Sequence, residues 1–223
     1  MLSLSQLRAK FPTILLIDAA STRIQVGLLS SKQPDCWKSQ TTEAGTGVFS
    51  GIFNLGQENA RIRLNDVDGF LFCEGPGSVL GIRTAAIALR VWSTIRERPI
   101  FAYSSLRLVA TFQLQTGAAT PFSVIADARR DTWHCLTVDA TREVGPLRRG
   151  NSDTFVGQTV TPLEFRNWAP LPNDTLKIPY TVEKLLAASA DQPLFHEVTD
   201  PDAFLHEEPI YLTWTPQIHR APS

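Results

Sequence analysis

Twice in this chain an apolar strand ends in Asp-Ala and turns straight back into a second strand. The stretch "TILLIDAASTRIQVGLLS" gives an apolar run from Thr13 to Ile17, then Asp18-Ala19 with small polar turn residues, then a strand from Ile24 to Leu29. The stretch "FSVIADARRDTWHCLTVD" repeats the plan, with Val124 to Ala126, then Asp127-Ala128, a polar turn and an alternating strand from Thr132 to Val138. A hairpin repeated with a carboxylate at its bend constrains the chain to two lobes of one duplicated design. The reading is an α/β fold with a boundary near Ser104, giving an amino-terminal lobe over 1–104 and a carboxy-terminal lobe over 105–223.

Between the hairpins, "GVFSGIFNLGQENA" carries Val48, Phe49, Ile52, Phe53 and Leu55 at helical spacing and predicts a helix from about Val48 to Ala60. Gly47 and Gly51 share one face, which permits close approach or simply weakens the helix; weakening is the commoner case. "DGFLFCEG" reads as a short buried strand, "RPIFAYSSL" as another, and Ser104 or Ser105 as the cap of the helix "LRLVATFQLQ". From Val144 to Asp174 prolines 146, 162, 170 and 172 punctuate short apolar pieces, and this segment is read as irregular. "TVEKLLAASA" predicts a helix and "EEPIYLTW" a closing strand.

The stretch "CEGPGSVLGIRTAAIALRVW" sets a glycine turn against a long apolar helix. Gly75, Pro76 and Gly77 force the turn, Ser78 is a good N-cap, and an exposed helix start of this kind can hold an anion. The lysine and following hydroxyl of a Walker loop are missing, and Glu74 opposes a phosphate, so a plain strand-to-helix turn is the better reading. The helix is apolar around most of its circumference, leaving a narrow polar stripe through Arg83, Arg90, Thr94 and Glu97. Such a surplus beyond the stripe needed to cover a sheet is met by neighbouring helices or by another chain.

With 43% hydrophobic and 19% charged residues the chain can bury a sizeable core. A net charge of -1 gives no overall field toward nucleic acid or anionic membrane, so any RNA contact would be local or shared with a partner. Three cysteines without a CxxC pair, no secretory-type apolar core at the amino terminus and no run long enough to span a bilayer predict a cytoplasmic protein.

Four segments together resemble the TsaB (YeaZ-like) proteins of bacterial threonylcarbamoyladenosine biosynthesis. "LLIDAAST" is similar to that family's opening strand, "GPGSVLGIR" to its glycine signature, "IADARRDTW" to its Asp-Ala-Arg-Arg segment and "EPIYL" to its ending. Ala19, Val79, Leu80 and Thr132 depart from the usual residues, and Val144 to Glu208 has little counterpart. The resemblance implies a two-lobed actin-like ATPase (ribonuclease H-like, ASKHA) fold with duplicated mixed sheets and flanking helices. It also implies a non-catalytic accessory role beside TsaD, the transferase acting on the anticodon-adjacent adenosine of tRNA. TsaE would join the same complex, tRNA would be reached only through it, a homodimer would use the same surface, and no membrane is involved.

The resemblance places the partner face on the two amino-lobe helices, through Val48, Phe49, Ile52, Phe53, Ile82, Ala85, Ala86 and Leu89. Asp18, Gly75, Gly77, Ser78 and Asp127 form a vestigial nucleotide or anion site, since ATPases of this fold use such hairpin carboxylates with glycine turns. Gly145, Gly150 and Gly157 are isolated, so the second lobe lacks a double-glycine adenine loop. The isolated subunit is therefore expected to hold no cofactor, with ATP or ADP confined to the boundary with the partner.

His134, His196, His206 and His219 have no metal-binding spacing, and neither GxSxG nor any other nucleophile motif is present. No catalytic residue and no metal are expected. The competing enzyme-class reading is an ATP-binding phosphotransferase or hydrolase of the same fold using Asp18 and the turn from Gly75 to Ser78. A bland third reading is a homodimer through the helices.

Overall fold

The computed structural model describes residues 1–58 and 64–204. Five helices and eleven strands alternate along the described chain: α1 Leu4–Lys10, β1 Thr13–Asp18, β2 Ile24–Ser30, β3 Cys36–Gln40, α2 Ala44–Glu58, β4 Gly69–Gly75, α3 Val79–Ile95, β5 Ile100–Ser104 and α4 Ser105–Gln115 lead into the second half. There follow β6 Phe122–Asp127, β7 Trp133–Val138, β8 Arg148–Gly150, β9 Gln158–Pro162, β10 Leu176–Ile178, α5 Val182–Ala188 and β11 His196–Val198.

The strands form two mixed sheets of one topology. The first runs β3-β2-β1-β4-β5 with β11 added at its edge, and the second runs β8-β7-β6-β9-β10. In both, the first three strands in sequence pair antiparallel and the last two join parallel. The repeated hairpins are thus β1–β2 and β6–β7, with Asp18 and Asp127 as the last residues of equivalent central strands. β11 returns from the end of the described chain to pair antiparallel with β5, so the first sheet is completed by a late segment.

The two sheets differ in what covers them. In the first, α2 links β3 to β4 and α3 links β4 to β5; the equivalent links of the second sheet carry one short 3-10 turn, Ser152–Thr154, and otherwise irregular chain. Period-two alternation then splits the second sheet. Val124, Ala126, Leu136 and Val138 face the main core, while Ile125, Trp133 and Cys135 form a separate small cluster capped by Phe155, Ala169 and Leu171.

Local sequence explains most elements. Ser3 accepts the Gln6 N–H while the Gln6 side chain accepts the Ser3 N–H, a capping box that starts α1. Ser78 and Ser104 cap α3 and α4 through the N–H groups of Gly81 and Arg107. Gly47 and Gly51 do more than weaken α2: a Cβ at Gly47 would overlap the Ile24 side chain, and one at Gly51 would sit 2.9 Å from Val26 Cγ2. Their bare face lets α2 lie directly on β2, a strand rather than another helix.

β3, β8, β9, β10, β11 and α1 went unpredicted from sequence. Three of these strands have three residues, too few for alternation to register, and Pro162 closes β9. The predicted closing strand "EEPIYLTW", with His206 and His219, and the end of the first predicted helix at Ala60 lie outside the described residues. No helix among the described residues is long and apolar enough to cross a membrane.

Candidate functional site: a buried aspartate and an exposed helical face

Asp18, expected from the resemblance to belong to a vestigial nucleotide site, ends β1. Here its carboxylate is fully buried and spoken for: Oδ2 accepts the hydroxyls of Tyr103 at 2.5 Å and Tyr180 at 2.8 Å, and Oδ1 accepts the Ala20 N–H at 3.0 Å. Tyr103 is the penultimate residue of β5, whereas Tyr180 stands just before α5, so the two hydroxyls reach Asp18 from opposite halves of the chain. Burial raises the Asp18 carboxyl above its ordinary range, although the hydroxyls and the Ala20 N–H favour the charge. Burial likewise pushes the Cys73 thiol and both phenols well up, with the Asp18 charge adding to it.

Further bonds draw the hairpin end onto the segment from Glu164 to Val182. The Arg23 guanidinium donates to the Tyr180 carbonyl at 2.9 Å and to Thr181 Oγ1 at 3.0 Å. Gln25 donates to the same carbonyl at 2.9 Å and accepts the Val182 N–H at 2.9 Å. Phe165 meets Tyr180 edge to face at 4.9 Å.

The glycine turn packs against this same hairpin. Gly75 adopts φ +116, open to glycine at little cost, and a Cβ at Gly77 would overlap the Ala20 carbonyl oxygen. The Ser78 N–H donates to that carbonyl at 2.7 Å and the Ser78 hydroxyl accepts from Gly81. Glu74 lies 3.3 Å from His196, its carboxyl raised by burial with the imidazole opposing. The Ser78 N–H is thus spent on the first hairpin and is not free for a phosphate.

Asp127 is built differently from its counterpart. Both aspartates bond the N–H two residues on, Asp18 to Ala20 and Asp127 to Arg129 at 2.6 Å. The other oxygen of Asp127 accepts the N–H groups of Trp168 at 2.7 Å and Ala169 at 2.8 Å. Partial burial would raise this carboxyl, but the three backbone donors outweigh it and hold it below the ordinary range. Asp18 and Asp127 therefore each tie a hairpin to another segment, and they share no hydrogen-bond partner. Among the described residues no group of three or more His, Cys, Asp or Glu is arranged to hold a metal.

The helices carry a correction. Val48, Ile82, Ala85, Ala86 and Leu89, assigned from sequence to a partner face, are buried in this chain's own core, and Ile52 is half-buried against it. Of the eight expected residues only Phe49 and Phe53 stand exposed. The physical reason is the helical phase: Ile82, Ala85, Ala86 and Leu89, at spacings of three, one and three, share the face that α3 turns to the core. On the opposite side, Leu80, Ile87, Val91 and Ile95 line up at spacings of seven, four and four. Ile87 is 58% exposed and Ile95 70%. Phe53, 64% exposed, and Phe49, which meets Trp92 edge to face at 6.3 Å, extend the apolar surface onto α2. Arg83 and Arg90 border the strip, paired with Asp202 at 3.3 Å and Asp200 at 3.0 Å.

Residues 56–159 match the family model of TsaD, described as tRNA N6-adenosine threonylcarbamoyltransferase. A comparison with curated proteins finds no match. Among solved structures, the chain resembles YeaZ from Pseudomonas aeruginosa with a TM-score of 0.60 and 19% identity, over 79% of this chain and 90% of that one. An uncharacterized protein of Pseudomonas aeruginosa with similarity to peptidase YEAZ gives a TM-score of 0.58 at 19% identity, covering 82% of this chain and 97% of that one. With its two sheets of one topology, the chain has the fold of the YeaZ structures.

Proposed function

We propose that this chain is a non-catalytic accessory subunit of the tRNA threonylcarbamoyladenosine machinery, docking on the TsaD transferase through α2 and α3. The family match over residues 56–159 supports the link to tRNA modification. The observation that carries the accessory role is the exposed strip of Leu80, Ile87, Val91 and Ile95 beside Phe49 and Phe53. An apolar strip this continuous, rimmed by ion pairs, has the anatomy of a protein interface rather than of scattered surface hydrophobics. The partner's matching helices would bury it as a helical bundle, with TsaE in the same complex and tRNA presented by it.

The buried, tyrosine-bonded Asp18 supports the non-catalytic half of the reading. An ATP-dependent phosphotransferase or hydrolase would have to break two buried tyrosine hydrogen bonds before a phosphate or metal could approach. Any ATP or ADP in the complex would then lie at the boundary with TsaD, and the chain acts in the cytoplasm.

Co-expression with the TsaD of its own organism tests this. The wild-type chain should co-purify in stoichiometric complex and support tRNA modification, and Ile87→Asp should abolish co-purification while the variant stays folded. Self-association of the isolated chain that persists unchanged with TsaD present would favour the homodimer. Nucleotide binding to the isolated chain by calorimetry would favour the enzyme.

A further inference from the structure

The surface around the second hairpin differs in chemistry from the helical face. Arg129 and Arg130 project from the β6–β7 turn, Arg148 and Arg149 form most of the neighbouring edge strand β8, and Arg166 precedes Trp168 by two residues; all six side chains are exposed. Among the described residues none of these arginines is ion-paired to a carboxylate. Asp127, the nearest buried acid, spends its oxygens on the three backbone N–H groups that hold the Arg129 turn and the Trp168 loop together.

That clasp brings the Arg129 guanidinium to 4.4 Å from the centre of the Trp168 ring. The turn is also strained: Arg129, Arg130 and Asp131 all have positive φ, at 65, 52 and 56. Left-handed conformations in three successive residues with side chains persist only where their surroundings enforce them. Here the enforcing contacts are the Asp127 carboxylate, Thr132 N–H to the Arg129 carbonyl at 3.1 Å, and Arg149 bonded to the Ala128 carbonyl at 3.1 Å and to Thr132 Oγ1 at 2.9 Å. The result is one guanidinium held over an exposed indole, with four more exposed arginines on the same turn, the adjoining strand and the Trp168 loop, on a protein whose net charge is -1.

We propose that this face binds single-stranded RNA, with the arginines on phosphates and an unpaired base stacked beside Trp168 and Arg129. Planar guanidinium groups match phosphate oxygens two at a time, and stacking on an aromatic ring serves any base. A membrane is a poorer occupant, because submerging Trp168 in lipid would drag the Arg129 cation stacked on it toward hydrocarbon. An acidic peptide would meet the charges but leave the indole without a flat partner. The surface belongs to the second sheet and its loops and shares no residue with α2 or α3, so the inference does not depend on the partner assignment above.

Fluorescence anisotropy of the full chain with a labelled oligouridine of about twelve nucleotides tests it. Wild type should bind, with affinity falling as salt rises. The double variant Arg130→Ala, Arg148→Ala should lower the log–log salt slope by roughly 1.4, two phosphate contacts on a single strand. Trp168→Ala should weaken binding roughly five- to hundredfold with the slope kept, and Trp168→Phe should restore most of it. Ile87→Asp should bind as wild type. Absence of binding at low salt, an unchanged slope in the arginine variant, or equal loss in Trp168→Phe and Trp168→Ala at unaltered melting temperature would each overturn the proposal. So would tighter binding to phosphatidylserine vesicles or to a polyglutamate peptide than to the RNA.

Discussion

The hydroxyl of Tyr180 lies 2.8 Å from the carboxylate of Asp18, across 162 positions of sequence. Tyr103 donates to the same oxygen, so one buried carboxylate satisfies two buried phenols. Asp18→Ala should strand both hydroxyls and destabilise the fold by about 2 kcal/mol or more. Asp18→Asn keeps an acceptor oxygen and removes the cost of a buried charge, so its loss should be smaller. The sign of the pH dependence follows from burial. A carboxyl raised above its ordinary value of 3.8 favours the fold when protonated, and that contribution is lost as pH rises from 3.8 through the folded value. Urea unfolding of wild type and Asp18→Asn across that range should show the Asn variant gaining relative stability as pH rises. A gap independent of pH would mean that Asp18 does not titrate as a buried acid.

Neighbouring positions on α3 should respond oppositely to charge. Ala86 is 1% exposed and Ile87 58%. Ala86→Asp would bury an unpaired carboxylate and should cost about 3 kcal/mol or more, seen as aggregation or a sharp loss in denaturant midpoint. Ile87→Asp should change the stability of the isolated chain by no more than roughly 0.5 kcal/mol. Only the second substitution therefore reports on a partner.

Gly77 faces the Ala20 carbonyl too closely for a side chain. Gly77→Ala has to push the glycine turn away from the first hairpin, a backbone-against-backbone overlap that no rotamer change relieves. A loss of roughly 1–3 kcal/mol is expected in chemical denaturation. A neutral substitution would show that the turn is free enough to move away from the hairpin.

The duplicated design was legible because it rests on an apolar run closed by Asp-Ala, repeated in "LLIDAA" and "VIADAR", and both copies became equivalent hairpins. The helix behind the glycine turn was equally legible as a helix. Which of its faces would be buried was not, since α3 is apolar on both sides and composition cannot distinguish them. One signal did exist: Ala85 and Ala86 are small where a helix must approach a sheet, while Leu80, Ile87, Val91 and Ile95 are the bulkier residues. The tyrosine seal had no local signature at all. Tyr103 and Tyr180 are single residues in an ordinary strand and a proline-flanked loop, and only the folded chain brings them to one oxygen.

Asp127 should show the reverse acid response to Asp18, although the two end equivalent strands. Three peptide N–H groups converge on it, and they favour the carboxylate more than its partial burial opposes it. A carboxyl held below its ordinary 3.8 stabilises the fold above that value, and the contribution is lost as pH falls through the folded one. Asp127→Asn keeps one acceptor but turns an amide toward the N–H groups of Trp168 and Ala169, costing about 1–3 kcal/mol at neutral pH. The gap between wild type and Asp127→Asn should then shrink as pH drops below 3.8, where wild type becomes a neutral acid as well. A gap that persists undiminished in acid would mean that the fold depends on the shape of this side chain and not on its charge.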